Sequence, residues 1–385
     1  MRIGILGAAR TAIGTFGGAL SGVPPIELAR TVSAAAMERA DVEPARVGAS
    51  VFGHVINTEP RDMYLSRAAA MEAGVPDSVP AMNVNRLCGS GAEAVVSAAR
   101  AIAMGDCDTA LAGGAECMSR SPYAVPGARW GVKMGDAKAQ DMMLGALNCP
   151  FGTGHMGVTA ENVAAEHGVS REDQDAFALE SQRRARTAID EGRFADEIAP
   201  VEIASRRSTY LFDTDEHPKD TSAEALAGLR PAFQKDGTVT AGNASGINDG
   251  AAALVLAKEG VGAPLAYLTG YAHAGVRPEV MGIGPVPAVR ALMERTGLSA
   301  SDFDVIESNE AFAAQATAVS RALGLDEARV NPNGGAIALG HPVGATGAIL
   351  VVKAIHELRR TGGRHALVTM CIGGGQGIAL SLEVA

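Results

Sequence analysis

Three side chains in this 385-residue chain combine a reactive type with a glycine-rich setting that leaves room for a substrate. Cys88 lies in Ala81-Met-Asn-Val-Asn-Arg-Leu-Cys-Gly-Ser-Gly-Ala-Glu-Ala-Val-Val, where an extended segment meets a turn and an Ala/Val-rich helical pattern begins. A thiol at a strand-to-helix turn faces unpaired helix N–H groups and the positive end of the helix dipole, which favour thiolate. Gly89 and Gly91 remove side-chain bulk, so a carbonyl can approach the backbone. The same run also reads as a buried core thiol in a glycine turn. His341 sits in Asn331-Pro-Asn-Gly-Gly-Ala-Ile-Ala-Leu-Gly-His-Pro-Val-Gly-Ala-Thr-Gly-Ala, an apolar loop ahead of a helix, where a histidine satisfied by a backbone carbonyl is the plainer alternative. Cys371 ends an apolar strand and precedes Gly373, Gly374, Gly375 and Gly377, a pattern that suits a turn presenting N–H groups to an anion. Two thiols and an imidazole match a thiol nucleophile with a base and a second proton-shuttling thiol. A metal is not expected, because none of the three belongs to a short chelating pair.

The elements that must position these residues follow from periodicity. Residues 27–40, 62–73 and 92–104 read as helices; 47–55 and 109–115 read as strands. Alternation of this kind predicts an α/β fold, with a parallel sheet covered by helices on both faces. From Ser119 the character changes: 119–160 is rich in Met, Gly and Pro and reads as an irregular insertion. A charged helix is expected over 170–191, opened by Ser170 and closed at Gly192. Regular Ala/Val patterning resumes after Asn248. An internal repeat at an offset of 256 aligns Gly91 with Gly347, Val95 with Val351, Ala98 with Ala354 and Ala110 with Ala366. Two copies of one α/β unit, with 119–250 inserted after the first, would let Cys88, His341 and Cys371 converge between the halves.

Whole-chain properties narrow the partners. The net charge of −10 argues against nucleic acid and acidic membrane surfaces. No apolar stretch approaches the roughly 18 residues of a membrane span. Five cysteines without a C-x-x-C pair predict neither a disulfide framework nor structural zinc, and fit a reducing cytoplasm.

In order along the chain, Asn85-Arg-Leu-Cys-Gly-Ser-Gly, Asn309-Glu-Ala-Phe-Ala, Gly340-His-Pro-Val-Gly-Ala-Thr-Gly and Cys371-Ile-Gly-Gly-Gly-Gln-Gly resemble the signatures of thiolases. Arg10-Thr-Ala-Ile-Gly-Thr-Phe-Gly-Gly and Val239-Thr-Ala-Gly-Asn-Ala-Ser-Gly extend the likeness over essentially the full length. Glu59-Pro-Arg-Asp-Met-Tyr-Leu and Arg129-Trp-Gly-Val-Lys-Met-Gly-Asp resemble bacterial broad-chain β-ketothiolases linked to polyhydroxyalkanoate synthesis. The resemblance implies the thiolase fold, duplicated halves in five αβαβα layers with an inserted loop domain. Residues 1–118 plus about 250–265 would form the N-terminal half, 119–249 the CoA-binding loop domain, and 266–385 the C-terminal half.

It also implies acyl-CoA C-acyltransferase activity: condensation of acetyl-CoA with acyl-CoA to 3-ketoacyl-CoA and CoA, and the reverse thiolysis, by ping-pong chemistry. Cys88 would carry the acyl group, His341 would take its proton, and Cys371 would deprotonate acetyl-CoA. Asn309 would hold an enolate-stabilising water, a role that competes with a helix-capping one. The N–H groups of Cys88 and Gly373 would form an oxyanion hole. His155, Met156, Lys219, Ala241, Ser245, Ala311 and Phe312 would bind the CoA substrate. Where relatives often place an arginine near the CoA 3′-phosphate, this chain has Pro218-Lys219, one residue shorter, so Lys219 supplies charge without bidentate recognition. No metal or cofactor is implied, CoA thioesters being substrates, and a homotetramer of paired dimers is. The competing functions are a thiolase-fold ketosynthase, disfavoured by Cys371, and a non-catalytic acyl-CoA- or lipid-binding protein of the same fold.

Overall fold

The computed structural model describes residues 2–204 and 208–384. The strands are β1 (Ile3–Arg10), β2 (Ala49–Gly53), β3 (Ala81–Val84), β4 (Thr109–Cys117), β5 (Asn248–Lys258), β6 (Ala266–Gly275), β7 (Val305–Ser308), β8 (His365–Ile372) and β9 (Gln376–Val384). Among the described residues they lie in the order β7-β8-β9-β6-β1-β5-β4-β2-β3, with Gly14–Thr15 pairing β5 beside this path. The helices that matter here are α1 (Pro25–Arg39), α2 (Leu65–Glu72), α3 (Ser90–Met104), α4 (Met142–Leu147), α5 (Met156–His167), α6 (Arg171–Asp190), α7 (Pro285–Thr296), α8 (Ala313–Leu323) and α9 (Thr346–Thr361).

The repeat is visible in the element boundaries. Strands β2 and β7 start at 49 and 305, helices α3 and α9 at 90 and 346, and strands β4 and β8 at 109 and 365, so each difference (305 − 49, 346 − 90, 365 − 109) is 256. The strand order is correspondingly symmetric about the β1–β6 seam, where Ile3–Ile5 pair with Leu268–Ala266. Helices α1 and α2 cover one half, α7 covers the other, and α3 and α9 pack together between them, giving the αβαβα layers of the thiolase fold. A helix sandwiched in this way buries every face: in α9 every residue from Thr346 to Ile355 is buried, and the one charge among them, Lys353, is paired with Glu307 at 2.8 Å.

The expected all-parallel sheet is corrected. Pairings β2–β3, β2–β4 and β7–β8 are parallel, whereas β1–β5, β4–β5, β6–β9 and β8–β9 are antiparallel. Parallel neighbours require a crossover helix, and the outer strands of each half have one. The short turn between β8 and β9 can only reverse the chain, and β5 returns beside β4 after the long segment 118–247. Smaller adjustments are the strand expected over 47–55, which runs only Ala49–Gly53, and the helix expected over 62–73, which opens with a 3-10 turn at Pro60–Tyr64. Helix α6 keeps its expected start. The Ser170 side chain accepts from the Asp173 N–H, and Asp173 reaches back to the Ser170 N–H.

The close approach of α3 and α9 rests on the two aligned glycines. A Cβ on Gly347 would stand 2.3 Å from Ala92 N, and one on Gly91 2.7 Å from Ala348 N. Without side chains there, the first turns of the two helices touch backbone to backbone, and the loops that precede them meet. Those loops carry Cys88 and His341.

Candidate active site

The turn bearing Cys88 is held in an unusual conformation. Leu87 has φ of 45°, a left-handed value costly for a branched side chain. Ser90 sustains it: its hydroxyl donates to Leu87 O at 2.6 Å and accepts from the Arg86 N–H at 2.9 Å. Cys88 is thereby turned out of β3 into a cavity, half-buried, with its neighbour Gly89 at the N-cap of α3. Burial pushes its thiol above the ordinary range. The backbone N–H groups of Gly373 and of Cys88 itself oppose that shift, and the Glu116 carboxylate adds to it. Desolvation therefore outweighs these N–H groups, and the thiolate-favouring setting expected at this turn does not lower the thiol.

His341 is buried, and its imidazole is oriented from both sides. Nδ1 lies 2.7 Å from Thr346 Oγ1, whose only hydroxyl proton goes to Pro342 O at 2.9 Å. Thr346 must then accept, so the histidine proton is on Nδ1 and Nε2 keeps its lone pair as an acceptor. Asn309 Nδ2 faces that lone pair at 3.4 Å. Burial alone brings the imidazole down to about 4, so it is neutral and basic-side-out at physiological pH. The backbone is fixed as well, with the His341 N–H donating to Asn248 Oδ1 at 2.9 Å. Asn309 is not a helix cap. It follows β7, its N–H donates to Thr369 O at 3.0 Å, and α8 begins only at Ala313.

Cys371 is buried near the end of β8, and burial lifts its thiol far above the usual value, with the charge of Cys88 as a further cause. Cys88, His341, Cys371 and Gly373 line one cavity of about 400 Å³. His155, Met156, Lys219, Ala241, Ser245, Ala311 and Phe312 line it too, so the structure gathers every residue singled out from the sequence except Asn309, which reaches it through His341. His155 accepts the Gly157 N–H on Nδ1 at 3.0 Å and stacks on Phe233, which leaves an Nε2 proton to donate. The Ser245 N–H donates to Ala311 O at 3.0 Å, tying two walls together. Lys219 is exposed at the rim.

Sequence reasoning missed several residues. Glu116 is fully buried and accepts the N–H groups of Val55, Ile56 and Gly344 at 3.0, 3.1 and 3.0 Å, pinning the His341 loop to the Cys88 half. His217 also lines the cavity, kept neutral by burial, which lowers it to about 4. Its loop is anchored through Asp215, which receives two hydrogen bonds from the buried Arg10 at 2.8 and 2.9 Å. A carboxylate at the end of the apolar strand run from Thr109 gave the only sequence signal for Glu116. For Thr346 and Asn248 there was none. Among the described residues no three His, Cys, Asp or Glu side chains form a group that could hold a metal ion.

A half-buried thiol facing two backbone N–H groups, a neutral imidazole and a second thiol define a cysteine-dependent acyl-transfer site on a duplicated α/β scaffold. Residues 3–260 match the model of the thiolase N-terminal domain and 262–384 that of the thiolase C-terminal domain. The chain is 59% identical to the β-ketothiolase BktB of Cupriavidus necator, with 98% of each chain covered. It is 50% identical to an acetyl-CoA acetyltransferase of Chromobacterium violaceum over all of both chains. Among solved structures, human mitochondrial 3-ketoacyl-CoA thiolase superposes with a TM-score of 0.98 at 42% identity, covering 100% of this chain and 99% of that one. The protein belongs to the thiolase family.

Proposed function

We propose that Cys88 carries the acyl group and that Cys371 and His341 exchange the protons of an acyl-CoA C-acyltransferase reaction. The protein is an enzyme that joins acetyl-CoA and an acyl-CoA into 3-ketoacyl-CoA and free CoA, and runs the reverse thiolysis; CoA thioesters are its substrates, and no metal or cofactor takes part. The observation that carries the assignment of roles is the fixed tautomer of His341, which leaves Nε2 unprotonated on a residue lining the cavity that holds both thiols.

From two thiols and a neutral imidazole the steps balance. His341 Nε2 takes the Cys88 proton as sulfur attacks the acyl-CoA carbonyl, and the N–H groups of Cys88 and Gly373 receive the oxyanion. The departing CoA thiolate takes the Cys371 proton, leaving acyl-Cys88, a Cys371 thiolate and a His341 imidazolium. Once esterified, Cys88 can no longer ionise beside Cys371, so the like-charge repulsion that would raise the second thiol is absent. The Cys371 thiolate then takes a proton from the methyl carbon of acetyl-CoA, and the enolate is held by His341 and by a water on Asn309. Attack on acyl-Cys88 releases 3-ketoacyl-CoA, and the imidazolium returns its proton to Cys88. The presence of Cys371 in the cavity separates this reading from a ketosynthase.

Residues 119–249 serve in this reading as the CoA-binding loop domain between an N-terminal half (1–118 with about 250–265) and a C-terminal half (266–385). The pantetheine arm passes His155, Met156, Ala241, Ser245, Ala311 and Phe312, and Lys219 meets a phosphate at the rim. A homotetramer is supported by the arm around 121–144, where Trp130 is 84% and Met134 95% exposed, more apolar surface than a lone chain favours. A cytoplasmic location fits five free cysteines; among the described residues no helix is long and apolar enough to cross a membrane. The test is intact-protein mass after incubation with acetyl-CoA. Addition of one acetyl group, absent in Cys88→Ser, is expected; an acetyl adduct of equal yield on the variant refutes the assignment.

A further inference from the structure

In the reaction proposed above, the oxyanion is received by N–H groups on two separate turns. That of Cys88 belongs to the turn that opens α3, and that of Gly373 to the turn between β8 and β9. The Cys88 turn is strained at Leu87, and a strained turn relaxes unless its surroundings forbid it. Packing supplies part of the restraint. Ile372 Cδ1 lies 2.5 Å from where a Cβ on Gly89 would stand, and Leu87 Cδ1 lies 3.1 Å from where one on Gly373 would. The rest is polar. Arg86 donates from Nη1 to Gln376 Oε1 at 3.4 Å, and Gln376 is the first residue after the glycines of the β8–β9 turn. Arg86 Nε also forms an ion pair with Glu93 Oε2 at 3.2 Å.

Glu93 anchors that arginine. It lies in the first turn of α3, is buried, and accepts from His273 Nε2 at 2.7 Å and from Arg100 Nη1 at 3.3 Å. Residues 86, 93 and 100 are seven apart, so they form one stripe running from the turn up α3. Tyr271 and His273 share one face of β6 opposite it, and Arg100 Nε donates to the Tyr271 hydroxyl at 3.0 Å. The stripe thus ties the Cys88 turn and its helix to strands β6 and β9, which lie on the far side of the β1–β6 seam from β4 and β2. The internal repeat shows that the scaffold does not require it. Adding 256 to 86, 93 and 100 gives Pro342, Ile349 and His356, which include no carboxylate and no guanidinium. Helix α9 buries Ile349 where α3 has Glu93, so only the copy that carries Cys88 spends a charge there.

We propose that Arg86 is a positioning residue: through Glu93 and Gln376 it holds the Cys88 turn against the glycine turn and sets the spacing of the two N–H groups that receive the oxyanion. The inference rests on the thiolase reading and adds what keeps its two donors in register. Arg86, Glu93 and Gln376 lie outside the substrate cavity, so losing the restraint slows turnover without weakening substrate binding.

The experiment measures kcat and KM for acetoacetyl-CoA thiolysis in Arg86→Met, Arg86→Lys, Gln376→Met and Arg100→Met. Deleting an oxyanion donor outright costs roughly 10²–10³ in kcat, so displacing one is expected to cost Arg86→Met about 10- to 100-fold, with KM within about twofold of the parent. Arg86→Lys can pair with Glu93 but cannot also reach Gln376, and its kcat is expected between those of Arg86→Met and the parent. Gln376→Met deletes one acceptor at nearly constant length and is expected to lower kcat in the same direction. Arg100→Met takes a guanidinium from the same carboxylate without touching either turn, and its kcat is expected to stay within about twofold of the parent even if its urea midpoint falls. Equal falls in kcat for Arg100→Met and Arg86→Met overturn the proposal, because the stripe would then be a support for the fold alone. An Arg86→Met kcat within about twofold of the parent, or a loss confined to KM, overturns it too. Gln376→Met is held to the same criteria if Arg86→Met does not fold. A parent unable to cleave acetoacetyl-CoA overturns the thiolase reading itself.

Discussion

Thr346→Val tests the claim that a hydroxyl fixes which nitrogen of His341 is basic. Valine keeps the shape of threonine but cannot accept the Nδ1 proton, now 2.7 Å from Oγ1. The imidazole is buried, with no other Nδ1 partner among the described residues, so the working tautomer loses that bond and leaves a donor unsatisfied. That costs about 1–3 kcal/mol. The proton moves to Nε2 by the same amount of free energy, and the fraction of enzyme able to deprotonate Cys88 falls by roughly 5- to 150-fold. Thiolysis of acetoacetyl-CoA is expected to show this as a fall in kcat with little change in KM, because Thr346 lies outside the substrate cavity. Thr346→Ser, which restores the hydroxyl, should recover most of the rate. A kcat for the valine variant within twofold of the parent would show that the hydrogen bond does not select the tautomer, and the proton path drawn through Nε2 would fail with it.

Cys371→Ala should still be acetylated on Cys88 by acetyl-CoA, while condensation falls by about 10²–10⁴, the usual value of a positioned base; equal losses in both half-reactions would refute the division of labour. His341, lowered to about 4 when folded against 6.5 unfolded, contributes stability that is full above pH 6.5 and is lost as pH falls towards 4. Between pH 7 and 5 the parent should lose about 2 kcal/mol more unfolding free energy than His341→Asn, and parallel curves in urea would contradict this. Glu307, raised by burial to about 7, acts with the opposite sign over this range, which is why the comparison is made between proteins that share it. Arg10→Met leaves Asp215 and Glu197 buried beside an apolar side chain, and a loss of about 3–5 kcal/mol is expected in chemical denaturation. A loss below 1 kcal/mol would show that the network is not needed to seat the Asp215–His217 loop.

Much of the scaffold is legible in the chain because its signals are local. Helix α6 announces itself through Ser170 and Asp173, and the duplicated unit through small residues repeated at one offset. The glycines at 91 and 347 are part of that repeat, and their spacing carried over into the contact of two helices. The strand directions were not legible: a periodicity of two marks a strand but says nothing of which neighbour it pairs with, and the long return to β5 and the tight turn before β9 made most of the pairings antiparallel. The capping role that competed for Asn309 fails for a related reason. Asn before an alanine-rich run is the pattern of a helix start, yet its backbone pairs with Thr369 and the helix waits for Ala313.

By itself the sequence determined the reactive inventory: a thiol before Gly-Ser-Gly, an imidazole between Gly340 and Pro342, a second thiol before a glycine run, and a repeat able to bring them together. These are chemical identities and short-range conformational demands, which a chain carries in any environment. Only the tertiary structure decided their states. Burial, a property of everything packed around a group, made Cys88 a thiol at rest and His341 neutral. Thr346, Asn248 and Glu116, contributed by other turns of the chain, fixed where protons sit and how the two halves face. Charge and tautomer depend on dielectric and on partners distant in sequence, so no motif around Cys88 could have revealed that its neighbours leave it protonated until a substrate arrives.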